Sequence, residues 1–249
     1  MNRGFGSNVP KGKIKEREME LMKSKIEQAV ELMNEDFRVF STLVLKQFDL
    51  LEKICQAKDG LRDEKMHELD MNEKVLDGLE VKMREEIVRS IVLYGPRASD
   101  LRKIMAYHDM SSYLERMGDL AKNIAEYAVQ LKSEAPELVT IRTRLFDLLS
   151  VSEKMAQNAI FAFTCEDNLL ARDTIAKDNV ADDMQAEITR RLIEIPISDL
   201  GQSDLRDIVC MSGMAYNMER IADHATNIAE SALFLMEGRD WKHLESQVD

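Results

Sequence analysis

The chain predicts an all-α protein built as two tandem, pseudo-repeated antiparallel three-helix bundles. Three observations carry that expectation. First, Pro (4) and Gly (10) are scarce in 249 residues and aromatics make up only 6 %, so helix breakers and strong β-formers are few. Second, apolar residues recur at three- and four-residue steps over long stretches, as in IEQAVELMNEDFRVFSTLVLKQFDLLEKICQA from Ile26, which is the period of a helix buried along one face. Third, ERMGDLAKNIAE at Glu115 to Glu126 returns as ERIADHATNIAE at Glu219 to Glu230, an offset of 219 − 115 = 104 residues. The same offset relates SDLR at Ser99 to Arg102 and SDLR at Ser203 to Arg206. A gapless internal repeat means that one supersecondary unit is used twice.

The elements follow in order. Residues 1–12 read as a flexible N-terminal tail. A first helix starts at Lys13 and is stopped by KDG at 58–60, where Asp and Gly suit a C-terminal break. A second runs from about Leu61 to Leu93 and ends because Gly95 and Pro96 cannot continue it. Ser99 is expected to cap the third through its hydroxyl, with Asp100 favourable at the positive end of the dipole; that helix reaches about Lys132. SEAPEL then separates the halves. The fourth helix covers about Glu137 to Thr164. The fifth runs unbroken from about Asp167 to Ile195, and the sixth, capped by Ser203, reaches about Met236. The bundles are thus expected at 13–133 and 134–238, with 239–249 a C-terminal tail. Each trio can close a core among its apolar stripes.

Charge and composition exclude several classes. The formal net charge is −12, from 46 acids against 34 Lys and Arg; with no basic cluster, nucleic acid is excluded as a partner. No run approaches the roughly 18 apolar residues of a membrane span. The N-terminal MNRGFGSNVPKGK has no apolar core of a signal peptide, and no lipidation motif is present. Cys55, Cys165 and Cys210 are odd in number and widely spaced, as befits free thiols in a reducing cytoplasm. No phosphate loop, nucleophile elbow or dinucleotide fingerprint occurs.

On a helical wheel Glu115, Asn123 and Glu126 fall within about 40° of Asp119, with Met117, Leu120 and Ile124 on the other side. The acids therefore face away from the core, and the second copy aligns Glu219, Asp223, Asn227 and Glu230 in the same way. An exposed acidic stripe is ordinarily a solvated face. Here, however, Glu115/Asp119 and Glu219/Asp223 are like charges at i,i+4, which cost a helix roughly 0.2–0.5 kcal/mol per pair. The repeats keep these acids while differing freely elsewhere, as at Lys122 against Thr226. The second and fifth helices add Glu73/Asp77 and Asp178/Asp182 at the same spacing. If they pack beside the third and sixth, four carboxylates converge in one groove of each bundle. Oxygen ligands without Cys or His suit hard cations, and without a cation the acids must repel or take up protons. Glu64 and His67 form a lone Glu-x-x-His with no second copy, so a di-iron bundle site is not expected there.

At these residues the chain resembles the PhoU family of bacterial phosphate-signalling regulators. The resemblance rests on ERMGDLAKNIAE, ERIADHATNIAE and the ASDLR before the first, and it spans about residues 20 to 240. It implies two similar three-helix bundles with multinuclear metal sites on their surface. The implied ligands are Glu73, Asp77, Glu115 and Asp119 in the first bundle and Asp178, Asp182, Glu219 and Asp223 in the second. The ions are expected to be oxygen-ligated iron, zinc, manganese or magnesium. The implied role is a non-catalytic negative regulator of phosphate uptake and starvation signalling. Its expected partners are the ATPase subunit of the phosphate ABC transporter and the phosphate-sensing histidine kinase. The expected state is a homodimer, cytoplasmic, held at the inner face of the membrane through protein partners without inserting. The first signature has Gly118 where the second has Ala222, a departure that touches no implied ligand. The alternative is a carboxylate-bridged metalloenzyme, an oxidase or phosphatase. It is disfavoured because the acids face outward and no His pair accompanies them.

Overall fold

The computed structural model describes residues 11–56, 59–196 and 200–238. Seven helices occupy them: α1 (Lys11–Gln56), α2 (Asp59–Tyr94), α3 (Ala98–Ala128), α4 (Pro136–Thr164), α5 (Asn168–Ile175), α6 (Asp178–Ile193) and α7 (Gln202–Glu237). No strand occurs among the described residues. Helices α1, α2 and α3 pack on one another, as do α4, α5–α6 and α7, and the trios meet chiefly through α3 against α7. Helix α1 begins at Lys11, inside the span expected as a tail; the rest of that span and residues 239–249 lie outside the described residues.

The chain's punctuation explains most boundaries. Gly95 takes φ +52 and its N–H reaches Ile91 O at 3.3 Å, so α2 ends on a left-handed residue that only Gly adopts cheaply. Gly238 closes α7 in the same way at φ +68. Asp167 accepts from the N–H groups of Leu169 and Leu170, both at 3.0 Å, and so caps α5.

Three expectations are corrected. The cap of α3 is Arg97 rather than Ser99, and no side chain completes it. At α7 the cap is Gly201, not Ser203, and the carboxylate of Asp204 accepts from the Gly201 N–H at 2.8 Å. In both cases the helix starts before the serine, which leaves the hydroxyl inside the first turn. The fifth helix, expected to be continuous, breaks at Ala176 and Lys177. No Gly or Pro marks the break. The Thr174 hydroxyl donates to Leu170 O at 2.8 Å, but Ser152 makes the same bond to Leu148 O inside the unbroken α4, so no local bond explains the break. The new N-terminus puts Asp178 in the first turn of α6, where a negative charge is favoured.

The core runs through both trios without interruption. Phe163 of α4 meets Phe37 of α1 edge-on at 4.9 Å and Tyr107 of α3 at 5.4 Å, so the second trio drives an aromatic ring into the first. Beside this seam Glu153 of α4 is only 8 % exposed. Burial, and then Glu52 and Asp49 on α1, push its carboxyl up to about 8. A carboxyl with a raised folded pKa binds its proton more tightly in the native state. Its contribution to stability therefore falls as pH rises from its ordinary value of 4.5 through about 8. Glu153→Gln, which stays neutral, is expected to melt near wild type at acidic pH and roughly 2–4 °C higher above pH 8, the shift expected for a gain of about 1 kcal/mol. Calorimetry across that range checks this; equal melting temperatures at alkaline pH would refute it.

Candidate functional site: two carboxylate clusters

The acid pairs sit where two helices of one trio run side by side. In the first trio Glu73 and Asp77 project from α2 toward Glu115 and Asp119 of α3. In the second, Asp178 and Asp182 of α6 face Glu219 and Asp223 of α7. Carboxylate oxygens of Glu73, Asp77 and Asp119 all lie within 4.8 Å of one another, as do those of Asp182, Glu219 and Asp223. Three of the four expected residues thus converge in each bundle, and Glu115 and Asp178 stand outside the trios. The two are not outside the field. Burial, then Asp119, Glu80 and Asp77, push the Glu115 carboxyl up to about 7. Glu219 is likewise pushed up to about 7 by burial, then Asp223 and Asp182, with Asp178 adding a smaller share. Asp119, Asp182 and Asp223 are raised too, each chiefly by desolvation. The acids face away from the core, as expected, but into a half-buried groove rather than open water. Near neutral pH a proton offsets part of the repulsion that a cation would otherwise relieve.

The substitution that looked free in the sequence distinguishes the two clusters. Lys122 Nζ lies 3.3 Å from Glu73 and 3.5 Å from Asp70, so the first cluster carries its own cation. At the corresponding place Thr226 donates its hydroxyl to Asp178 at 2.9 Å, adding a hydrogen bond but no charge. On this side the clusters differ accordingly: Glu73 belongs to its cluster while paired with Lys122, and Asp178, bonded to Thr226, stands outside the other. The repeat offset could have flagged position 122/226 as the place where the copies diverge beside the acids.

A second pair of differences has a packing cause. A Cβ on Gly118 would lie 2.5 Å from Leu76 Cδ1, and Leu76 is buried. Gly118 is therefore the notch that lets α2 approach α3 and bring Glu73 and Asp77 to Asp119. In the second bundle Ala222 stands where Gly118 does, and Ala181, one position before Asp182 as Leu76 is before Asp77, is also fully buried. Large against none in one bundle is small against small in the other. Gly118→Ala is expected to destabilise the protein by up to about 2 kcal/mol, the cost of overpacking less the gain of about 1 kcal/mol in helix propensity. Adding Leu76→Ala should cost less than the sum of the two single changes. Urea unfolding of the four proteins measures this; strict additivity would show that the notch is not the cause.

His224, in the second signature, is also explained. It is 4 % exposed, and its ring stacks on Tyr113 of α3 with centroids 5.6 Å apart. Burial, then Arg220 and Arg116, push it down to about 4. It is a neutral packing residue at the α3–α7 contact rather than a ligand. His108 pairs with Asp109 at 3.1 Å and belongs to neither trio.

The donor set, all carboxylate in two half-buried grooves, fits hard cations and offers no thiolate or imidazole. Tandem helical trios, each bearing such a cluster, define a class of all-helical repeat protein without a catalytic constellation among its described residues. The profile of the PhoU domain matches residues 37–128 and 145–232, once per trio, and the chain belongs to the PhoU family. A phosphate-specific transport system accessory protein PhoU homolog of Aquifex aeolicus is 31 % identical over 195 residues, covering 78 % of this chain and 86 % of that protein. Its counterpart in Pseudomonas aeruginosa is 32 % identical over 206 residues, 81 % of each chain. The crystal structure of PhoU from Pseudomonas aeruginosa superposes with a TM-score of 0.78 at 26 % identity, over 86 % of this chain and 99 % of that one. The phosphate transport system regulatory protein PhoU from Streptococcus pneumoniae shares the fold, with a TM-score of 0.74 at 22 % identity over 86 % and 98 % of the two chains. The curated relatives are named as accessory proteins of a phosphate-specific transport system. No helix among the described residues is long and apolar enough to cross a membrane.

Proposed function

We propose that the chain is a metal-binding regulator of phosphate uptake and of phosphate-starvation signalling. In this reading it is an adaptor between the ATPase subunit of a phosphate transporter and a phosphate-sensing histidine kinase, and it holds the starvation response off when phosphate is plentiful. The observation that carries the reading is the pairing of family and site. Two PhoU domains each present a carboxylate cluster in a groove between two of their helices. Glu73, Asp77 and Asp119, with Glu115 at the rim, would hold one group of ions. Asp182, Glu219 and Asp223, with Asp178 at the rim, would hold the other. Iron, zinc, manganese and magnesium all accept such oxygen ligands, and bound ions would supply charge neutralisation and rigidity rather than chemistry. With a net charge of −12 the protein should not adhere to an anionic bilayer by itself, so any residence at the inner face of the membrane runs through protein partners. Val88, Val92 and Leu93, exposed at the end of α2, offer apolar surface on which two copies would form the expected homodimer.

The test is a pull-down of the full-length protein from cells grown in high and in low phosphate, with a starvation-responsive reporter read in the deletion strain. Recovery of the ATPase and the kinase, with the reporter constitutively on after deletion, is the expected result. Failure to recover either partner, with an unchanged reporter, refutes the adaptor role whatever the clusters bind.

A further inference from the structure

Helix α2 is apolar on two sides. Leu69, Leu76, Met83 and Ile87 are buried on the side that packs against α1 and α3. On the opposite side Met71, Val81, Val88 and Val92 are 49–75 % exposed. Single exposed apolar residues are ordinary, but these do not scatter. With Lys74, Gly78 and Glu85 they form one stripe from Met71 to Val92, in which steps of three and four residues alternate without a break. That is the period of a coiled-coil seam, and a helix that is apolar all round is ordinarily covered on both faces.

Three residues of the stripe find no use inside their own chain. Lys74 and Glu85 are exposed and make no hydrogen bond or ion pair with any described residue. Gly78 sits in mid-helix, where Gly costs stability relative to Ala, yet a Cβ there would meet nothing within 4 Å. The placement of these residues is symmetric. Met71 and Val88, Lys74 and Glu85, and Gly78 and Val81 are each equidistant from the midpoint between Leu79 and Glu80. A second copy laid antiparallel about that midpoint sets each member of a pair against the other, twice, as two-fold symmetry requires. Lysine then meets glutamate rather than its own like, and the glycine leaves room for a valine. The cations that border the stripe, Lys82, Arg84 and Arg89, already pair with Asp36, Glu80 and Glu86 of their own chain, so they add little uncompensated like charge to the seam. The repulsion between two chains of net charge −12 is screened beyond about 8 Å at physiological ionic strength.

We propose that a second copy of this chain docks on this face, with the two α2 helices packed antiparallel about a two-fold axis between Leu79 and Glu80. Met71 lies on Val88 of the other copy, Gly78 receives Val81, and Lys74 pairs with Glu85 at two places. The stripe is roughly 30 Å long, so the contact extends over most of the helix. The proposal rests on the homodimer expected above and gives it an axis and a register. The charged pair fixes that register: sliding one helix by a turn, or reversing it, sets Lys74 and Glu85 against apolar residues or against their own kind.

Sedimentation equilibrium of the full-length protein at physiological ionic strength tests this with Lys74→Glu and Glu85→Lys. Each variant opposes like charges at two places in the seam, so each should weaken the dimer roughly ten-fold or more. An equimolar mixture of the two variants restores both pairs, and the heterodimer should form with about the wild-type affinity. Both residues are exposed and without a partner in their own chain, and unchanged helical circular dichroism is the control for folding; a misfolded variant would also fail to be rescued by mixing. A dimer that either variant leaves unweakened overturns this seam but keeps the homodimer on another face. Weakening by both without recovery in the mixture overturns the pairing of Lys74 with Glu85 and the register with it. A wild-type protein that stays monomeric at every concentration overturns both the seam and the expected homodimer. The adaptor role is read separately, by the pull-down.

Discussion

Saturating Mn²⁺, Zn²⁺ or Fe³⁺ is expected to raise the melting temperature above that of the chelator-treated protein, and Asp119→Asn combined with Asp223→Asn is expected to abolish the rise. A ligand that binds only the native state stabilises it by mass action, about 2.7 kcal/mol at a hundred-fold excess over Kd. For a chain of this size that corresponds to roughly 5–10 °C. The two aspartates are chosen because each belongs to its converged trio, while neither donates a hydrogen bond that the fold needs. The pH dependence supplies a second signature. Glu115 and Glu219 are held near 7 by burial and by the acids around them. Raised carboxyl pKa values mean that apo stability from these groups falls as pH rises from about 4.5 through 7. Metal must displace those protons. The metal-induced rise should therefore grow between about pH 6 and 8 while the apo protein loses stability over the same interval. The cluster with Lys122 should bind more weakly than the other, because its ammonium already faces Glu73 at 3.3 Å; Lys122→Thr should bring the two closer. A melting temperature indifferent to every metal would return all eight acids to the role of a solvated groove.

The elements and the candidate site were legible in the chain to different degrees. Long helices with strong apolar period were plain, and so were their ends at Gly95–Pro96 and near Pro136, because breakers act locally. The split of the fifth helix was not legible, since Ala176 and Lys177 are ordinary helix formers and no Gly or Pro marks the place. The duplicated acids were legible because the repeat holds them constant against a varying background. Which three of four would converge was not, because that depends on contacts made across a helix pair, such as Lys122 with Glu73 and Thr226 with Asp178. Gly118 against Ala222 looked like drift. It is the visible half of a compensated packing pair whose other half, Leu76 against Ala181, lies about 40 residues away.

Asp207→Ala is expected to lower stability by about 3 kcal/mol, roughly 6–12 °C in melting temperature. The residue is 1 % exposed. Its carboxylate accepts from the N–H groups of Lys132 and Ser133 in the segment that joins the two trios. Removal leaves two backbone donors without an acceptor, each worth about 1–3 kcal/mol when buried, and deprives Arg142 of its nearest negative charge. Asp204, one turn earlier, holds the same segment through the hydroxyl of Ser133 while also capping Gly201. The start of α7 is thus the clamp on the connection, and the first repeat has no need of one: position 103, the counterpart of 207, is a lysine. Asp207→Asn keeps one acceptor oxygen and should fall between wild type and Asp207→Ala. If the clamp holds the trios together rather than merely stabilising α7, Asp207→Ala should also increase hydrogen exchange in residues 129–135 before global unfolding. A loss of stability with unchanged exchange there would place the effect in α7 alone.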